Sequence, residues 1–177
     1  NWLAVDGSRL VYSAKKDKDH IQADPTELGD DSPRAVRVRE YGKKLLEDPT
    51  LADVLDSTVQ CYDPEMCVNI RYESDENGWA HAMQVMPGGD ACYVGFRTNE
   101  LPYALRWFCR TEDEDGIGIA LPTTGTNRST AYQKEHGYYN TLAPGAHESL
   151  RFDFGYLDSE HAKTMESRIQ KILEHAK

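Results

Sequence analysis

The stretch Gly137-Tyr138-Tyr139-Asn140-Thr141-Leu142-Ala143-Pro144-Gly145, running through Glu148-Ser149-Leu150-Arg151 into Phe152-Asp153-Phe154-Gly155-Tyr156-Leu157, decides how the chain is read. Proline fixes φ and glycine accepts positive φ, so Pro144-Gly145 marks a turn. Apolar residues then alternate with polar ones, which is the period of a strand with one buried face. Leu150, Phe152 and Phe154 share that face, and Arg151 and Asp153 share the other.

Working outward from it, most of the chain has the same texture. Residues 57–62 and 67–72 flank Asp63-Pro64-Glu65, and Asp75-Glu76-Asn77-Gly78 forms another turn. Residues 80–85, 91–96, 104–109 and 117–120 read as further short strands. At the N-terminal end, Asp6-Gly7 between Leu3-Ala4-Val5 and Leu10-Val11-Tyr12 predicts a hairpin. Residues 15–32 are charged and rich in turn formers, and read as an exposed loop. In residues 34–46 either period fits, with Lys43-Lys44-Leu45-Leu46-Glu47 before Asp48-Pro49 resembling the end of a short helix. A clear helix closes the chain: Asp158 and Ser159 can cap it, and Ala162, Met165, Ile169, Ile172, Leu173 and Ala176 form an apolar stripe. Short strands at this spacing indicate a mainly β protein, an antiparallel β-sandwich rather than βαβ units. The expected organisation is one domain over 1–177, with residues 158–177 as a helix packed on it.

Composition narrows the function. The 177 residues are 39% hydrophobic and 28% charged, which fits a globular domain with a sizeable core. A formal charge of -10 argues against nucleic acid, which needs a concentrated basic surface. No apolar run reaches the roughly 20 residues of a spanning helix, and no signal-type segment opens the chain, so neither membrane association nor secretion is expected. With no initiating Met, Asn1 reads as a processed, trimmed or proteolysed start. Cys61, Cys67, Cys92 and Cys109 match neither a zinc-knuckle spacing nor a disulfide scaffold, and are read as reduced core thiols of a cytoplasmic protein.

Motifs with a strong mechanism are missing from the sequence: no P-loop, dinucleotide fingerprint, nucleophile elbow or His-Glu-x-x-His occurs. The run Glu112-Asp113-Glu114-Asp115 lacks the alternate spacing of a calcium loop and reads as solvated. No pair of histidines has metal-ligand spacing, so no metal is expected. Among the histidines, His136 is the candidate catalytic group, because Gly137, Tyr138 and Tyr139 could bring its imidazole to a pocket rim. Tyr103, Trp107, Tyr132, Tyr138 and Tyr139 crowd the second half, beside Arg97, Asn99, Arg128 and Asn140. Sugar pockets combine such residues, since a pyranose offers a C–H face to a ring and hydroxyls to polar groups. Arg97, Asn99, Trp107 and Arg128 are therefore candidate sugar-binding residues.

Several segments, taken in order, resemble the C-terminal half of aldose 1-epimerase (galactose mutarotase-like) proteins. They are Cys92-Tyr93-Val94-Gly95-Phe96-Arg97-Thr98-Asn99, Leu101-Pro102-Tyr103 with Trp107, Gly118-Ile119-Ala120-Leu121-Pro122, and Thr141-Leu142-Ala143-Pro144-Gly145. Leu55-Asp56-Ser57-Thr58-Val59 also looks like the family's Leu-Asp strand, which makes Asp56 a possible sugar ligand by resemblance. The likeness covers roughly residues 51–157. It implies a galactose mutarotase-like β-supersandwich, here apparently lacking N-terminal strands, with a sugar site on its concave face.

The implied reaction opens an aldose ring at the anomeric carbon: a carboxylate takes the hydroxyl proton while a histidine protonates the ring oxygen. The sequence departs from that plan. Leu121 occupies the place of the glutamate before proline, and the family's histidines lie in an N-terminal half of which the chain has at most a remnant. Three readings follow: a sugar isomerase, a non-catalytic carbohydrate-binding protein, and an assembly β-sandwich of a larger carbohydrate-active enzyme. The expected partner is a monosaccharide or sugar phosphate, with no cofactor. A second chain or a missing N-terminal segment is expected to complete the sheet, because bare edges are a liability.

Overall fold

Turns at Gly7, Gly78 and Gly89, all with positive φ, break the chain into strands too short to bury themselves alone. The computed structural model describes residues 2–25, 31–58, 65–110 and 115–176. In chain order the elements are β1 (Trp2–Leu3), β2 (Arg9–Tyr12), β3 (Ile21–Pro25), α1 (Pro33–Glu47), a 3-10 turn (Pro49–Ala52) and β4 (Met66–Arg71). They continue with β5 (Trp79–Val85), β6 (Ala91–Arg97), β7 (Tyr103–Arg110), β8 (Asp115–Thr123), α2 (Thr130–Glu135), β9 (Phe152–Leu157) and α3 (Ser159–His175). A five-stranded sheet in the order β1-β8-β7-β4-β3 faces a four-stranded sheet in the order β2-β5-β6-β9. All pairings are antiparallel. The fold is a mainly β antiparallel sandwich with a C-terminal helix.

Alternation along each strand builds the layer between the sheets. Met66, Val68, Ile70, Ala104, Phe108, Ile117 and Ile119 meet Leu10, Tyr12, Ala80, Ala82, Val94 and Phe96 in one buried cluster. Each fully buried Leu, Ile, Phe or Met side chain there contributes about 1.5–3 kcal/mol. Helix α1 starts where Ser32 caps the Ala35 amide at 3.2 Å, with Pro33 at its first position. Its Tyr41 and Leu45 join the same cluster. Helix α3 starts where Asp158 accepts from the Glu160 and His161 amides, and covers the outer face of the smaller sheet. Ala162 and Ile169 pack there on Met83, Val85 and Ala91.

Three expectations need correction. The chain does turn at Asp6-Gly7, but the flanking strands do not pair with each other. β1 joins β8 and β2 joins β5, because the turn carries the chain from one sheet to the other. The expected loop over 15–32 holds β3, which pairs with β4 and has Ile21 in the core. The alternating face of β9 is solvent-exposed rather than half-buried: Phe152 is 54% exposed and Phe154 72%. Sequence alternation identified the face, but among the described residues no strand of the opposite sheet covers it. Residues 59–64 and 111–114, which include Cys61 and most of the acidic run, lie outside the described residues. Cys92 is a buried free thiol.

Two polar clusters sit inside these apolar layers. Arg106 is 1% exposed, and its Nη1 donates to Asp53 Oδ1 at 3.1 Å. The Tyr12 hydroxyl donates to the same oxygen at 2.9 Å, and Lys16 Nζ donates to Oδ2 at 2.5 Å. The guanidinium also lies over the Tyr12 ring, 4.4 Å from its centroid. Under α3, His81 Nδ1 lies 2.8 Å from the Tyr93 hydroxyl and Nε2 lies 3.9 Å from Asp75 Oδ2, while Arg168 of α3 bonds to Asp75. A Cβ on Gly95 would stand 2.2 Å from that hydroxyl, so glycine is needed for the ring to reach His81.

Removing one partner of a buried ion pair strands the other charge. Asp53→Ala is expected to lower unfolding free energy by about 3–5 kcal/mol in urea titrations, and an unchanged midpoint would refute the cluster's role. Burial, with the Arg168 charge adding to it, pushes the His81 pKa from 6.5 down to about 4. The unfolded chain then takes up a proton that the folded one refuses. His81 therefore contributes to stability above pH 6.5, and that contribution falls away as pH drops toward about 4. His81→Gln should flatten the stability profile across that window, measured by thermal melts at stepped pH.

Candidate functional site

Registers fix which side chains share the face of the five-stranded sheet turned away from the interior. Gln22, Asn69, Leu105 and Leu121 form one row across β3, β4, β7 and β8. Arg71, Tyr103 and Thr123 form the next, and Cys67, Trp107 and Gly118 lie on the other side of the first row. Polar groups gather at the Arg71-Tyr103 end. There Asp19, His20, Gln22, Asn69, Arg71, Tyr103, Thr126, Tyr132 and Tyr138 line a hollow of about 160 Å³.

Local sequence explains its walls. Asp17 folds back on the chain, its Oδ1 accepting from the Asp19 and His20 amides at 3.0 Å each and lying 2.7 Å from His20 Nδ1. The His20 hydrogen bond holds the Asp17 carboxyl below the usual carboxylate range. On its other side, His20 Nε2 stands 3.2 Å from Glu73 Oε1, so two carboxylates bracket the ring.

The roof comes from the segment after β8. Ser129 accepts from the Tyr132 amide at 3.2 Å and starts α2, and Gly137 with positive φ ends it. That turn brings Tyr138 edge-on to Tyr103, with centroids 5.5 Å apart, and Tyr132 to within 6.5 Å of Tyr138. Burial, then the hydrogen bond with Tyr138, pushes the Tyr103 pKa up to about 12, so at neutral pH Tyr103 remains a protonated donor. The Asn127 amide donates to Asn69 Oδ1 at 2.6 Å and thereby orients the side chain. Asn69 is 4% exposed, and its Nδ2 has no hydrogen-bond partner; Thr126 Oγ1 is likewise buried and unpartnered.

Buried polar atoms without partners are uncommon in native proteins and carry a cost of about 1–3 kcal/mol each. Here they line a hollow walled by rings. The arrangement offers aromatic edges and faces, an amide donor, a guanidinium and an imidazole to one small polar guest. Among the described residues, no group of three or more His, Cys, Asp or Glu side chains could hold a metal ion. Among the described residues, too, no helix is long and apolar enough to cross a membrane.

The structure scatters the residues nominated from the sequence. Arg128 stands 6.0 Å over the Tyr132 ring and His136 stacks on that ring at 3.8 Å, both next to the hollow. Trp107 shares the sheet face but lies four residues along β7 from Tyr103, its Nε1 donating to Glu65 at 2.8 Å. Arg97 lies over Trp79 on the other sheet, 5.8 Å from the ring. Asn99 lines a separate polar hollow with Asn140, Glu148 and Arg151. Asp56 sits in a turn rather than a strand, its Oδ1 accepting from the Thr58 amide at 2.9 Å.

Sequence reading passed over His20, Asn69 and Arg71. An Asp-x-x-His spacing at 17 and 20 was the one local signal available for His20. Leu121 is 38% exposed and borders an apolar hollow with Trp2, Val94, Phe152 and Phe154.

No protein-family model matches the chain, and no curated protein matches it. Among solved structures, that of a putative aldose 1-epimerase from Klebsiella pneumoniae subsp. pneumoniae is similar, with a TM-score of 0.67 at 22% sequence identity. The match covers 99% of this chain and 41% of that one. The chain thus has the β-sandwich fold seen in part of an aldose 1-epimerase-like protein, and it spans less than half of that protein's length.

Proposed function

We propose that this chain is a carbohydrate-handling protein that binds a monosaccharide in the hollow between the Asn69-Tyr103 sheet face and the Tyr132-Tyr138 roof. The observation that carries the reading is the buried, unpartnered Asn69 Nδ2 in a hollow walled by three tyrosine rings. A sugar hydroxyl would satisfy that donor and the Thr126 hydroxyl, while a C–H face packs on a ring. Likeness of fold to an aldose 1-epimerase supports the same class of guest.

Binding is favoured over epimerisation of the sugar. Leu121 cannot take a proton at the position where the family resemblance calls for a general base. Tyr103 keeps its proton at neutral pH, and both nitrogens of His20 already face carboxylates. The isomerase reading rests on His20 alone: it is the imidazole that lines the hollow, and it would have to trade its Glu73 contact for the substrate.

Calorimetric titration with a panel of neutral and phosphorylated monosaccharides tests the proposal. At least one should bind, and Tyr138→Ala should weaken that binding by about tenfold or more, the loss of a ring contact together with part of the roof. No heat from any sugar would refute the site. Polarimetry on the same sugars separates the two activities: acceleration of mutarotation that disappears in His20→Gln would establish the isomerase reading instead.

A further inference from the structure

The roof of the polar hollow is held from behind by a side chain that does not line it. No residue in 126–150 is buried, so α2 has nothing of its own in the core to anchor it. Hydrogen bonds give this stretch its shape instead, and several of them meet at Gln133. Its Nε2 donates to the carbonyl of Thr126 and, at 3.4 Å, to that of Arg128, the residues on either side of Asn127. Its own carbonyl accepts from the Tyr138 amide at 2.8 Å. Gly125 leaves room for this arrangement: the three atoms nearest to a Cβ placed there all belong to the Gln133 side-chain amide, and Oε1 would collide with it.

We propose that Gln133 is the positioning residue of the site, fixing which end of the Asn69 amide faces the guest. The inference rests on the hollow being the binding site. A trans peptide group is planar, with its C=O and N–H pointing in opposite directions. Gln133 grips the peptide group between Thr126 and Asn127 by its oxygen. The N–H of the same group is thereby turned the other way, onto Asn69 Oδ1 at 2.6 Å. With Oδ1 engaged, the buried and unpartnered Nδ2 is the end left for the guest. An asparagine amide with no fixed partner can turn over and present its oxygen instead. The hollow would then offer an acceptor where it now offers a donor, and a different set of guest atoms would fit.

Tyr138 depends on the same residue. Because the Gln133 carbonyl holds its amide, the ring that meets Tyr103 and the amide that meets the guest are set together. Hydrogen bonds linked in such a chain polarise one another, which strengthens the last donor in it. Gln133 itself packs on no core cluster, so it can be altered without unfolding the sandwich.

Two substitutions displace the Gln133 amide by different means. Gln133→Leu removes the donor at nearly the same size, whereas Gly125→Ala keeps the donor and pushes it aside with a methyl group. For a monosaccharide that binds the unaltered protein, each should weaken calorimetric affinity about tenfold, and the double substitution should lose no more than either alone. Hydrogen exchange of the Asn127 and Tyr138 amides, measured without sugar, should quicken in both variants. Protection in α3 and in β5 and β6 should stay as it is, with the melting temperature within a few degrees. Unchanged affinity in Gln133→Leu, additive losses in the double variant, or exchange that quickens throughout the sandwich would each overturn the proposal. If no sugar binds the unaltered protein, the assignment of the guest is what fails; the exchange of Asn127 then decides alone, and an unchanged rate in both variants refutes the role of Gln133.

Discussion

The bond between Arg106 and Asp53 ties together parts of the molecule that lie far apart in the chain. Arg106 stands on β7, and the β7–β8 register slips between Leu105 and Trp107, so that Arg106 faces two residues of β8, Ile119 and Ala120, in a bulge of that strand. The guanidinium points into the interior, where Asp53, at the end of the 3-10 turn after α1, receives it. Tyr12 brings in β2 of the opposite sheet. One carboxylate therefore fixes the spacing of both layers and the place where α1 returns to the sandwich. Burying such a pair is expensive, and the cost is offset only because the carboxylate also accepts from Tyr12 and Lys16.

The bulge opposite Arg106 also divides the outer face. It separates Leu105 and Tyr103, whose neighbours on β8 are Leu121 and Thr123, from Trp107 beyond it. Aromatic and polar groups at the Tyr103 end are drawn under the α2 roof, while Trp107 goes to Glu65. The face is therefore divided into a roofed polar part and an open part.

Sequence alone revealed what periodicity and turn chemistry can reveal. The alternation of β4 to β8, the caps of α3 and the Pro144-Gly145 turn are local facts, and the structure keeps them. Partners distant in the chain were illegible. Asp6-Gly7 announces a turn correctly, but its strands choose partners about 75 and 115 positions away, at Met83 and Ile117. The exposed face of β9 has the pattern of a buried one because alternation reports only which residues share a side. Of the candidate site, the tyrosines were visible as a composition bias. His20 needed Glu73, Asn69 needed Asn127, and no spacing rule connects them.

Strand β1 holds a further consequence. Trp2 and Leu3 pair with Ile117 and Gly116, and β2 pairs with residues 82–85, so the first strands find their neighbours late in the chain. On a ribosome, β1 and β2 would leave the exit tunnel well before β8 and β5 exist. The segment from β4 to β7 is different: β5 and β6 adjoin in sequence and in space, and form a hairpin able to nucleate without waiting. Folding should thus start at the β5–β6 hairpin, with β1 reaching β8 only later.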